Sequence, residues 1–403
     1  MDSHAPASLS RTLSLPVLTL YGLGTIIGAG IYVLIGKIVG TAGIYAPAAF
    51  LLAGIIAAFT AFSYAELATR FPKSAAAAVY VDEAWRIKRL SSLVGWIIII
   101  TGTVSAAAMA NGLVGYVQIF FDLPRELIIG SITLFLMLIA LWGIRESAMM
   151  IVTITLLEIG GLIFVLFIAQ QNAPVYSWEQ LSTLPNAKES IAIILGGFLA
   201  FYAFIGFEDM ANVVEETQNP RRNIPIAIIL AVSLSTIIYV TVAITAVRTM
   251  SIEQLSNSAA PLADMVTSSG YSAASISLIS LIAVVNGALV QIIMASRVMY
   301  GMGKQQMAPA FLSYIHPKTH TPVIATIIVA LAIFIFALWL PLVTLAKLTS
   351  LAMLIIFSLV NGALITVKRR QPVAPHAVCY PIWIPVMGGL LCVTLILVQA
   401  FAL

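Results

Sequence analysis

Along this chain apolar residues run in long unbroken stretches. They show neither the alternation of a half-buried strand nor the stripe of an amphipathic surface helix. A helix needs about 20 apolar residues to cross a bilayer. Eleven stretches meet that length, at roughly 15–38, 43–68, 92–120, 125–144, 148–170, 190–213, 223–248, 271–302, 322–340, 342–367 and 381–402. The pattern predicts an all-α integral membrane protein of about eleven transmembrane helices. Outer-membrane barrels alternate apolar and polar residues, whereas these runs are continuous. Residues 1–14 read as a short polar tail, 15–170 as a first group of five helices, 190–367 as a second group of five, and 381–402 as an additional peripheral helix.

Composition agrees with this reading. Of 403 residues, 61% are hydrophobic and 9% charged, against roughly 45–50% and about 25% in a soluble domain. So little charge cannot cover a water-soluble globule. That excludes a cytosolic enzyme, a nucleic-acid-binding domain, a disordered chain and a disulfide-rich secreted module. Cys379 and Cys392 supply neither a disulfide framework nor a metal set, and no cofactor is expected. The tail lacks the basic start and cleavage site of a signal peptide. With that tail inside, 15 of the 20 Lys and Arg fall in inner segments, and Lys37, Arg125, Lys188, Arg248 and Lys347 fall outside. This bias sets an N-inside orientation, with Leu403 outside, in a plasma or inner membrane.

Two runs are chemically odd. The first contains Gly22, Gly24, Gly28 and Gly30 at mid-membrane depth, and each glycine costs a helix interior about 1 kcal/mol. The sixth contains Gly206 followed by Glu208 and Asp209. Irregular backbone at that depth is tolerated only where protein or a polar cavity satisfies it. Runs one and six are five apart, the spacing of equivalent helices in a fold of two inverted five-helix repeats, and paired interruptions of this kind point to a transporter's binding site. Half-helix N-termini offer N–H groups to a carboxylate. Free carbonyls and Glu208 offer negative charge to an amine. Together they suit a zwitterion. Two other readings of the glycines exist. A dinucleotide fingerprint needs a preceding strand, and a Gly24-x-x-x-Gly28 packing face leaves the second break unexplained.

At these residues the sequence resembles the amino acid–polyamine–organocation permeases, especially the branch of cationic amino acid transporters. The resemblance covers nearly the whole chain. It is carried by Gly24-Thr25-Ile26-Ile27-Gly28-Ala29-Gly30-Ile31-Tyr32, by Tyr64-Ala65-Glu66-Leu67-Ala68-Thr69-Arg70-Phe71-Pro72, by Gly206-Phe207-Glu208 with Glu215-Glu216-Thr217-Gln218-Asn219-Pro220, and by Ser296-Arg297-Val298-Met299-Tyr300-Gly301. It implies the leucine-transporter-like five-plus-five inverted repeat with helices 1 and 6 broken. It also implies that N–H groups around Gly28, Ala29 and Gly30 hold a substrate carboxylate, and that carbonyls of Ile26, Tyr202 and Ile205 hold its amine. Ile27, Phe201 and Gly206 join these segments, while Tyr202, Phe204 and Phe207 line or gate the site. The sequence departs from the family at Ala75–Ala78, where relatives are glycine-rich, and in its eleven runs, where relatives commonly have twelve.

Glu158 lies mid-run in the fifth stretch, with Thr155 three residues earlier on the same face. An intramembrane carboxylate is a functional candidate by default. Glu158 is either an ion-coupling residue, carrying H⁺ with Na⁺ as the lesser alternative, or a hydrogen-bonded structural acid. Glu208 and Asp209 point about 100° apart on a helix. Glu208 is the expected substrate contact or gate, and Asp209 the expected cap or structural partner. Asn286, Gln291, Asn111 and Gln118 read as polar glue between helices. Glu66 and Arg70 form either a gate pair or an ordinary i,i+4 pair.

The expected function is a secondary transporter of amino acids or related amines working by alternating access, not an enzyme. The expected partners are the small-molecule substrate, a proton and the lipid bilayer. The alternatives are a nutrient-sensing receptor with a transporter fold, and a membrane-embedded metal enzyme using Glu208, Asp209, Glu215 and Glu216. The sequence leaves symport against exchange and the oligomeric state open.

Overall fold

The computed structural model describes residues 13–72, 76–142, 148–172, 174–304, 306–317, 319, 321–372 and 377–401. Among these, each expected run is occupied by helix. The first is split into α1 (Leu15–Ile26) and α2 (Ala29–Ala42), and the second is α3 (Ala46–Arg70). A short α4 (Ala76–Trp85) leads to α5 (Lys88–Gln118), α6 (Arg125–Trp142) and α7 (Ala148–Ala169). After the small α8 (Trp178–Leu181), the sixth run comprises α9 (Ala187–Ala200), a 3₁₀ turn at Phe201–Phe204 and a 3₁₀ segment at Phe207–Glu216. There follow α10 (Pro220–Thr249), the short pair α11 (Ile252–Asn257) and α12 (Pro261–Ser268), α13 (Ala274–Lys304), α14 (Val323–Trp339), α15 (Leu342–Arg370) and α16 (Trp383–Phe401).

Nine of these helical stretches are long and apolar enough to cross a membrane, with Gly30–Arg70 counted as one, while α1 and α14 are apolar but shorter. The outer surface is apolar: Leu134, Phe135 and Leu138 on α6 and Ile163 and Phe167 on α7 are all exposed. Glu66, Glu158 and Asn361 are buried inside. Apolar outside with polar groups inside is the arrangement a bilayer demands, and the chain is a multi-pass membrane protein.

Helix ends depart from the hydropathy boundaries for local reasons. The helix α5 begins at Lys88 rather than near 92, and α15 continues to Arg370. Hydropathy marks hydrocarbon thickness, whereas Lys and Arg are good helix formers beyond it. The start of α9 is fixed by a capping box: Asn186 accepts the Glu189 N–H at 3.0 Å, and Glu189 accepts the Asn186 N–H at 2.7 Å. At the next helix, Pro220 rather than Pro225 is the first residue, because a proline at the first position has no N–H to leave unpaired.

Two contacts close the ends of the bundle. Leu13 forms a parallel bridge with Thr217, donating its N–H to Glu216 O at 3.0 Å and accepting from Gln218 N at 2.9 Å. This ties the entry of α1 to the exit of the sixth run. Towards the opposite ends of the helices, α11 and α12 pack on α2, where Lys37 donates to Ser256 O and the Leu255 carbonyl abuts Gly36.

Candidate functional site

Both glycine-marked runs are interrupted, and the interruptions lie against each other. At the first, Ile27 still donates to Leu23 O at 2.7 Å, but Gly28 leaves the helix at φ −88°, ψ −135° and α2 restarts with no side-chain cap. The first N–H groups of α2 are therefore unpaired within the helix, with the positive end of its dipole behind them. At the second, Ile205 is extended and Gly206 has φ 128°. Only glycine adopts that conformation readily, and any side chain at 206 would also meet the Thr25 carbonyl. Glu208 Oε2 accepts the Gly206 N–H at 2.9 Å. Thr25 Oγ1 lies 2.9 Å from Gly22 O and 3.0 Å from Gly206 O. Gly30 faces the backbone of Ala203.

One hydroxyl spans both breaks. Tyr239 on α10 is fully buried, with its OH 2.7 Å from Ile26 O and 3.0 Å from Ala203 O. Its ring packs edge-on against Phe204 at 5.2 Å. Tyr239→Phe removes the donor and leaves two buried carbonyls short of a partner. A loss of about 1–3 kcal/mol is expected, measured as a lower unfolding midpoint of the purified protein.

Between the breaks lies a small, partly open cavity. The first run contributes Thr25, Ile26, Gly28 and Gly30, and the sixth contributes Tyr202, Ile205 and Asp209. Ser105 and Met109 of α5 and Asn286, Val290 and Gln291 of α13 close the remaining sides. Tyr202 OH stands 3.2 Å from both Ser105 Oγ and Ser105 O. Of the residues expected from the sequence, Ile26, Gly28, Gly30, Tyr202 and Ile205 line this cavity. Ala29 lies in the backbone between the two glycines. Ile27, Phe201, Phe204 and Phe207 are buried behind the breaks. Phe201 and Phe207 pack on Phe357 at 5.7 and 5.1 Å, and Phe207 on Tyr64 at 5.7 Å. They support the broken segments rather than line the space.

The structure puts Asp209, not Glu208, on the cavity wall. It also brings in Ser105, Met109, Asn286 and Gln291. Their helical spacing held the signal, because 105 with 109 and 286 with 290 each share a face. Glu158 and Thr155 lie off the cavity, both buried in α7. Neither carboxylate oxygen of Glu158 has a hydrogen-bond partner among the described residues. Its backbone carbonyl accepts from Tyr32 OH at 2.7 Å, and the Tyr32 carbonyl accepts from Tyr116 OH. This chain of bonds ties α7 to α2 a turn beyond the break.

A second buried polar cluster lies where α3, α15 and the lead-in to α16 meet. Glu66 Oε1 accepts from Lys368 Nζ at 2.7 Å and from Arg70 at 2.8–2.9 Å. Glu66 Oε2 accepts from Lys368 Nζ at 2.8 Å and from the Tyr380 N–H at 2.9 Å. The expected Glu66–Arg70 pair is thus present, and Lys368 is an addition the sequence reading missed. About two turns before Lys368 on α15, Asn361 accepts from Ser63 Oγ at 2.6 Å and donates to Thr60 Oγ1 at 2.9 Å.

Comparison with known proteins fits this architecture. Residues 13–403 match the profile of the amino acid permease family. The chain belongs to the amino acid permease family, within the amino acid–polyamine–organocation superfamily. It is 31% identical to the branched-chain amino acid permease BcaP of Bacillus subtilis, over 95% of this chain and 86% of that one. It is 27% identical to cationic amino acid transporter 3, mitochondrial, of Arabidopsis thaliana, over 92% of this chain and 64% of that one. It is also 27% identical to the methylthioribose transporter of Bacillus subtilis, over 91% and 83%. The chain thus spans slightly under two thirds of the plant transporter it matches.

Proposed function

We propose that the protein is a secondary transporter that carries an amino acid or related amine across the membrane by alternating access around the two breaks. The observation that carries this reading is the cavity between two interrupted helices, with unpaired N–H groups on one wall and a carboxylate, Asp209, on another. N–H groups at Gly28–Gly30 suit a carboxylate, and the carbonyl of Ile205 with the Tyr202 and Asp209 side chains suits an amine. The names of the relatives, which describe carriers of amino acids and of methylthioribose, support the same class.

In this reading the chain has eleven spans arranged as two inverted five-helix repeats plus α16, with the N-terminus cytoplasmic, in a cell membrane. The split helix α1–α2 crosses once: its 12 and 14 residues each cover only about 20 Å at roughly 1.5 Å per residue. The 17 residues of α14 reach about 26 Å, close to the bilayer core. We assign ion coupling to Glu158 and H⁺. A carboxylate charge left without a partner in that interior costs several kcal/mol, so proton exchange relieves a penalty that no hydrogen bond from the described residues offsets.

Protein reconstituted in vesicles is expected to show saturable uptake of at least one amino acid or amine. Binding without uptake would identify a receptor instead. Glu158→Gln is expected to keep substrate binding while flattening the dependence of uptake on an imposed pH gradient. An unchanged gradient response in that variant would rule Glu158 out as the coupling group.

A further inference from the structure

At the end of the bundle that carries Glu66, two long helices meet at a basic corner. Helix α5 starts there and α15 ends there. Arg86, Lys88 and Arg89 are exposed at the α4–α5 junction, and Arg369 and Arg370 are exposed at the last turn of α15. The two groups are held side by side. Arg370 Nη1 donates to Ala84 O at 2.7 Å, and Ala84, Ala363 and Val367 form a small buried cluster backed by Trp85. The nearby acids are Asp82, which accepts from Ser91 Oγ at 3.3 Å, and the half-buried Glu83. Among the described residues of 76–93 and 369–370, five cations therefore stand against two acids. Beside them Ile87 and Leu93 are 51% and 52% exposed.

We propose that this corner is a docking surface for an anionic phospholipid. The phosphodiester sits among Arg86, Lys88, Arg89, Arg369 and Arg370, and an acyl chain lies along Ile87 and Leu93. Charge complementarity selects the headgroup. Clusters of Lys and Arg beside a membrane span attract anionic lipid, each residue contributing about a fivefold gain. The apolar neighbours select a lipid over a soluble anion, because Ile87 and Leu93 project where two apolar helices reach the membrane edge. A lipid held here would bridge the α4–α5 corner to the end of α15, adjacent to the Lys368–Glu66 contact.

The test is native mass spectrometry of the full chain with equal amounts of phosphatidylglycerol and phosphatidylcholine. The variants are R86Q/K88Q/R89Q, the charge-preserving R86K/R89K, and R221Q/R222Q as a control at a separate exposed basic pair. The expected result is selective retention of phosphatidylglycerol by the wild type, R86K/R89K and R221Q/R222Q. The triple glutamine variant is expected to bind it on the order of a hundredfold more weakly, with an unchanged unfolding midpoint in lipid-free detergent. Equal retention of the two lipids by the wild type, or undiminished phosphatidylglycerol on the triple variant, would overturn the proposal. Displacement by an equal concentration of glycerol phosphate would overturn it in favour of a soluble-anion site.

Discussion

Glu66→Ala is expected to destabilise the protein by about 3–5 kcal/mol, the usual effect of removing one member of a buried ion pair. Glu66 is 0% exposed in its side chain, Arg70 2% and Lys368 9%. Its loss leaves two cations and the Tyr380 N–H without their common acceptor. The pair stabilises little relative to an apolar replacement of both members, since desolvation offsets most of the attraction. Glu66→Leu combined with Arg70→Met and Lys368→Met, which leaves neither cation behind, is therefore expected to recover much of the loss. Thermal unfolding of purified protein checks both, and a triple variant as unstable as the single one would locate the effect in packing rather than in unpaired charge. Because Tyr380 leads into α16, the single variant should also expose the segment before α16 to protease.

Gly30→Leu is expected to reduce uptake by at least tenfold, with a smaller effect on folding. A side chain at 30 runs into the backbone of Ala203, so the two interrupted helices must separate and the cavity loses its shape. Catalytic and binding geometries fail when displaced by about 1 Å. Gly28 is the internal comparison, because open space surrounds the position a side chain would take there. Gly28→Ala should keep measurable uptake, and Gly28→Trp should block it by filling the cavity. Uptake measured side by side decides the matter. Equal, near-normal rates in Gly30→Leu and Gly28→Ala would show that the breaks need not touch.

The helical runs were legible because bilayer thickness imposes a length on apolar stretches. The interruptions were legible because glycine in such a run conflicts with helix propensity, and the structure places irregular backbone at Gly28 and Gly206. What lay out of reach was partnership across long separations. Lys368 is 302 residues from Glu66 and in sequence looked like one more basic residue after a span. Tyr239 sits in an apolar stretch where an aromatic residue reads as core, and nothing local announces that its hydroxyl meets two chain breaks. The choice between Glu208 and Asp209 depended on how the backbone leaves Gly206. The 3₁₀ winding after the break turns Glu208 back onto the Gly206 N–H and leaves Asp209 at the cavity, a result regular helical geometry does not give.

The bridge between Leu13 and the Glu216–Gln218 backbone bears on how the protein is handled. A bulky domain joined directly at Leu13 would pull on a pairing that joins the two segments flanking the cavity. Such a fusion, with residues 1–12 removed, should therefore alter measured uptake without touching any residue of the cavity. A purification handle or fluorescent reporter belongs at the other terminus, or behind a linker long enough to leave that pairing slack.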